Sequence, residues 1–84
     1  EGKKLKLSEQ EKEHAYKAIT GMWNSLKTYG KPVDRSDEYW QPLIEADVQI
    51  CRECNDDPLV VFLLKHFENG LEEYLRREIE RSQS

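Results

Sequence analysis

Apolar residues recur along this chain at helical spacing, in three stretches separated by short polar connections. In the first, Ala15, Tyr16, Ala18, Ile19, Met22, Trp23, Leu26 and Tyr29 fall on one side of a helix at about 100° per residue. Ser8 and Glu11 form an S-x-x-E capping box at its start, and Glu9, Glu11 and Glu13 complement the positive end of the helix dipole. Gly30 is a left-handed stop with Pro32 shortly beyond, so the spacing predicts a helix over Ser8–Tyr29.

The second stretch opens on Ser36 as cap and Asp37–Glu38 as first turn, but Pro42 intrudes, and a proline inside a helix costs about 3 kcal/mol. Two arrangements accommodate it: a separate short turn over 36–41, or a helix that starts late with Pro42 in its first turn. Either way the helix ends near Cys54 or Asn55. The third stretch begins at Asp57-Pro58, with Asp as cap and Pro at the first helical position. Its core stripe is Val60, Leu63, Leu64, Phe67, Leu71, Tyr74, Leu75 and Ile79. The stripe keeps phase through Asn69-Gly70, which predicts one helix to Arg81 with Gly70 costing about 1 kcal/mol. Glu72–Arg76 and Glu73–Arg77 are i,i+4 pairs on its outer side.

No segment alternates at strand period over more than a few residues. The expected fold is all-α: a small three-helix bundle in which helices 2 and 3 form a tight αα-hairpin. Residues 1–84 are expected to form a single helical domain, with frayed ends over 1–7 and 82–84.

Composition narrows the picture. Of the 84 residues, 36% are charged, against roughly 25% in an average soluble domain. Leu, Ile, Val and Phe together supply 19 residues, just above the roughly 20% floor for building a core. A chain this short encloses one small core and has little room for a buried catalytic cavity. The longest apolar run, Leu59–Leu64, is far too short to span a membrane. The net charge of −4 is uneven, with residues 28–58 carrying three cations against eight acids. A nucleic-acid binder shows a basic stripe. Here the only basic cluster is Lys3, Lys4 and Lys6, so nucleic acid is not an expected partner. Two cysteines are too few for a disulfide scaffold of this size, and no signal-peptide pattern is present, which favours a cytoplasmic location.

Candidate chemistry concentrates on helix 2. Asp47 falls in the middle of an apolar arc made by Trp40, Leu43, Ile44, Ala46, Val48, Ile50, Cys51 and Cys54. A carboxylate buried there without a partner is costly. A metal or thiol site would draw on Asp47, Cys51 and Cys54, with His66 at Cys54-x11-His66 as a fourth ligand. One C-x-x-C at a helix end, without a second pair, is a weak motif. The preferred reading makes both cysteines small buried hydrophobes and gives Asp47 an indole, a tyrosine hydroxyl or a cation as partner. Glu11-x-x-His14 has di-iron spacing but no second pair, and Glu11 is engaged in the capping box. No Ser/His/Asp constellation or glycine-rich phosphate loop appears. Neither an enzyme nor a cofactor is expected, and no small-molecule substrate.

On helix 3, Phe62 lies opposite the core stripe, with Leu59 and His66 at one-turn spacing. Either the 30–41 connection covers this face, or Leu59, Phe62 and His66 form an interface. The expected function is therefore a small non-catalytic helical protein that works through contact with a protein partner or with a second copy of itself. One alternative is the metal- or thiol-dependent module on Asp47, Cys51 and Cys54. The other is an acidic inhibitor of a nucleic-acid-handling protein, using Asp34, Asp37, Glu38, Glu45, Asp47, Glu53, Asp56 and Asp57 as a phosphate-like surface.

Overall fold

A computed structural model describes residues 6–83. Lys3, Lys4 and most of the expected N-terminal tail lie outside the described residues. The chain forms three helices, α1 (Glu9–Tyr29), α2 (Asp37–Glu53) and α3 (Pro58–Gln83), and the described residues contain no strand. The all-α three-helix bundle expected from periodicity is the observed architecture.

The boundaries follow from local chemistry. The Ser8 hydroxyl accepts from the Glu11 amide at 3.1 Å, and the Glu11 carboxylate accepts from the Ser8 amide at 2.8 Å. This reciprocal box starts α1. Gly30, at φ 72°, ends it and donates its N–H to the Leu26 carbonyl. α2 and α3 are joined by four residues, of which Asn55 and Asp56 are left-handed at φ 55° and 54°. These are the non-glycine types that tolerate that region best. The Asp57 carboxylate accepts the Leu59 amide at 3.0 Å and caps α3.

α2 corrects both arrangements offered for Pro42. It is one helix from Asp37 to Glu53 with Pro42 inside it. Tertiary bonds hold the turn ahead of the proline. The Tyr39 hydroxyl donates to the Gly30 carbonyl at 2.8 Å, and the Trp40 indole donates to the Asp34 carbonyl at 3.1 Å. The two rings meet edge to face at 5.0 Å. Leu43, next after the proline, is fully buried. Ser36 occupies the cap position but makes no side-chain capping bond; instead its amide donates to the Asp34 carboxylate.

The register is set by a few long-range contacts. His14 meets Asp57 and the Lys31 ammonium lies over the Tyr74 ring, so α1 and α3 run parallel. Ile50 packs on Gly21 and the Cys54 thiol faces the His14 carbonyl, so α2 runs antiparallel between them in sequence. All three helices meet at one cluster: Ala18 of α1, Cys54 at the end of α2, and Val60 and Leu64 of α3. Met22, Ile50, Cys51 and Leu63 pack around its edge.

α1 is rotated relative to the expected core face. Its buried residues are His14, Ala18 and Ser25. With Gly21 they form a row of mostly small residues that lets α2 and α3 approach closely. Tyr16, Ile19, Trp23 and Leu26, expected inside, are exposed. On α3 only Val60, Leu64 and Leu75 of the expected stripe are fully buried, the others being half-buried. α3 passes through Gly70 without interruption and extends two residues beyond Arg81, to Gln83. On its outer face Glu73 takes both Arg76 and Arg77, and Arg76 also bonds Glu80, in place of the expected Glu72–Arg76 pair.

A Cβ added at Gly70 meets nothing within 4 Å. Gly70→Ala should therefore raise unfolding stability by about 0.5–1 kcal/mol through helix propensity alone. A denaturant melt measures it, and a loss of stability would mean that α3 bends at this position in solution.

Candidate functional site

Among the described residues, α1 carries a stripe of four large exposed apolar side chains. Tyr16 is 70% exposed, Ile19 and Trp23 are each 59% exposed, and Leu26 is 38% exposed. Their spacing, i, i+3, i+7, i+10, places all four within an arc of about 80°. This arc lies opposite the Gly21–Ser25 row that packs on α2. The four together present on the order of 400 Å² of apolar area, the size at which exposed patches mark contact sites. Lys27 lies over the Trp23 ring at 5.5 Å. Met22, half-buried against the core cluster, continues the patch towards Leu63 of α3.

Phe62 is 62% exposed. Residues 30–41 do not cover it, and Trp40 borders Glu72 further along α3. Arg35 of that segment borders Asn69, Glu72, Glu73 and Arg76, two to four turns further along α3. His66 is exposed, with Nδ1 2.9 Å from the Phe62 carbonyl oxygen, and Leu59 is half-buried. Phe62 is thus a lone exposed aromatic, separate from the larger α1 stripe.

Asp47 is buried, as its place on the helical wheel requires, at 2% exposure. Among the described residues neither carboxylate oxygen has a hydrogen-bond partner, so the bond expected from an indole, a hydroxyl or a cation is not made. Its neighbour across the α2–α3 seam is Glu68, another carboxyl group. Burial first, and then the neighbouring Glu68 carboxyl group, push the Asp47 pKa up to about 8, so Asp47 is mostly protonated at neutral pH. The two acids border a crevice of about 230 Å³ walled by Val48, Cys51, Val61 and Leu64, with Lys65 at the edge.

Cys51 and Cys54 are free thiols, half-buried and buried respectively. Burial is the first cause raising both pKa values, so both remain protonated at neutral pH. Among the described residues no group of three or more His, Cys, Asp and Glu side chains is placed to hold a metal ion. Asp47 and Cys51 share the α2–α3 crevice, whereas Cys54 lies in the core cluster and His66 on the outer side of α3. Of the eight acids in the 28–58 segment, Asp47 is buried and Asp57 is half-buried against His14, and the other six are exposed.

One polar pair had no sequence signal. His14, buried on α1, has Nδ1 2.7 Å from an Asp57 oxygen. With the proton on Nδ1, the imidazole donates to the carboxylate that also caps α3. The His14 bond and then the Leu59 amide hold the Asp57 pKa below the usual carboxylate range. The pair joins the start of α3 to α1.

Comparison with protein-family models, with curated proteins and with solved structures finds no match. The surface has to be interpreted from its own chemistry.

Asp47 and Asp57 act on stability with opposite signs. The depressed Asp57 pKa gives stability that is present above about pH 4 and lost as pH falls through its folded value. The raised Asp47 pKa means that the unfolded chain releases a proton the folded chain keeps, so stability declines as pH rises from about 4 to about 8. Asp47→Asn keeps the shape of the protonated side chain and removes the titration. The variant should match wild type near pH 4 and exceed it by about 2–4 kcal/mol at pH 7.5. Chemical denaturation across this range measures the difference. A variant weaker than wild type at every pH would mean that a cation, with Lys65 the nearest, neutralises Asp47 in solution.

Proposed function

We propose that this protein is a non-catalytic helical module that works through protein–protein contact, with the outer face of α1 as its docking surface. One observation carries the reading. Tyr16, Ile19, Trp23 and Leu26 form an exposed heptad-spaced stripe, while the inward row of the same helix is built from smaller residues. Helices that dock on one another present such i, i+3, i+7 anchors, and aromatic residues dominate the binding energy of such faces. The buried polar groups do not favour an enzyme. The His14–Asp57 pair holds two helices together, the thiols are protonated, and Asp47 faces only another acid.

Phe62 belongs to a secondary surface under this reading, and the interface moves from Leu59, Phe62 and His66 to α1. Trp23→Glu should leave the fold and melting temperature within a few degrees of wild type, since Trp23 already faces solvent. Immobilised wild type should retain a specific protein, this chain or another, that the variant releases, whereas Phe62→Glu should retain it. Identical retention by wild type and Trp23→Glu would remove α1 as the docking face.

A further inference from the structure

We propose that the partner of α1 is α1 of a second copy, packed antiparallel about a two-fold axis level with residue 21. This inference rests on the contact function proposed above and names its partner.

The first argument is the spacing. Intervals of three, four and three residues between Tyr16, Ile19, Trp23 and Leu26 read the same in both directions. Turned end over end about residue 21, the stripe is its own complement. Tyr16 comes level with the partner's Leu26, and Ile19 with the partner's Trp23. At about 100° per residue, Tyr16 and Trp23 lie on one side of the stripe's midline and Ile19 and Leu26 on the other. Level side chains therefore interleave rather than collide. A parallel pairing sets each anchor against itself, Trp23 on Trp23 and Tyr16 on Tyr16, with no large-to-small alternation.

Charge agrees with the antiparallel choice. Glu13 and Lys27 lie on the same flank of the stripe. The end-over-end turn brings Glu13 within a turn of the partner's Lys27, and symmetry makes the contact twice. The helix dipoles also oppose in this arrangement and add in the parallel one. An isologous pair of this kind closes on itself and leaves no sticky surface for a third copy.

Sedimentation equilibrium from about 1 to about 200 μM tests this on wild type, Ile19→Glu, Trp23→Lys and their equimolar mixture. Wild type should reach twice the 10.0 kDa chain mass. Each substituted chain alone sets a charge against an apolar anchor and should dimerise at least about 100-fold more weakly. In the mixture, one interface pairs the two opposite charges across the axis and keeps the second Ile19–Trp23 contact native. Mixing should recover at least about 10-fold of the lost affinity. Thermal melts of both variants check that each chain is folded, and Tyr16→Arg with Leu26→Glu supplies a second complementary pair should either fail. A wild type that stays monomeric throughout would overturn the dimer. So would a dimer that neither substitution weakens, because its interface would lie elsewhere. Loss on substitution without recovery on mixing would overturn the antiparallel register. If wild type is monomeric yet still retains another protein through Trp23, the second-copy inference falls and the contact function stands.

Discussion

Everything in this fold depends on one small apolar junction. Ala18, Cys54, Val60 and Leu64 are the point where all three helices touch. Around it few large side chains are fully buried, Leu43 and Leu75 being the main additions. A core this small leaves little stability beyond the conformational entropy it must offset. The ends of the helices are accordingly tied by specific polar contacts. His14 with Asp57 fastens α3 to α1, and Tyr39 and Trp40 fasten the start of α2 to the α1–α2 connection.

The same junction explains why so much apolar surface is left outside. α1 carries two heptad-spaced rows. One is His14, Ala18, Gly21 and Ser25, and the other is Tyr16, Ile19, Trp23 and Leu26. Only the first is slim enough to let two other helices come near at once. Ile50 sits directly on the bare α-carbon of Gly21. With the small row inward the bundle closes, and with the large row inward α2 and α3 would be held apart. The large row therefore faces outward, and the surface available for contact is a by-product of how the core closes.

The α2–α3 seam carries the opposite tendency. There two carboxyl groups, Asp47 and Glu68, border one largely apolar crevice, and Asp47 keeps its proton at neutral pH. The arrangement costs stability as the solution becomes more alkaline, because the unfolded chain is free to ionise. A seam held this way is a second reason for the fold to gain from burial elsewhere, and the α1 stripe offers exposed apolar area for it.

Much of the architecture was legible in the chain alone. Helix number, the Ser8–Glu11 box, the Gly30 stop, the Asp57-Pro58 start and the passage through Gly70 depend on contacts within a few residues, and local chemistry decides them. The burial of Asp47 was also legible, because one residue in the middle of an apolar arc has nowhere else to point. What the sequence could not decide is which of two rows on α1 meets the other helices. Hydrophobicity favours the large row, whereas close packing favours the small one, and only the assembled bundle shows that helix separation wins. Continuity of α2 across Pro42 was hidden for a related reason, since the bonds that secure its first turn come from Gly30 and Asp34 in the preceding connection. The His14–Asp57 pair and the Asp47–Glu68 pair bridge 43 and 21 residues of sequence. No local pattern marks such pairs, because parallel packing of α1 with α3 and antiparallel packing of α2 with α3 create them.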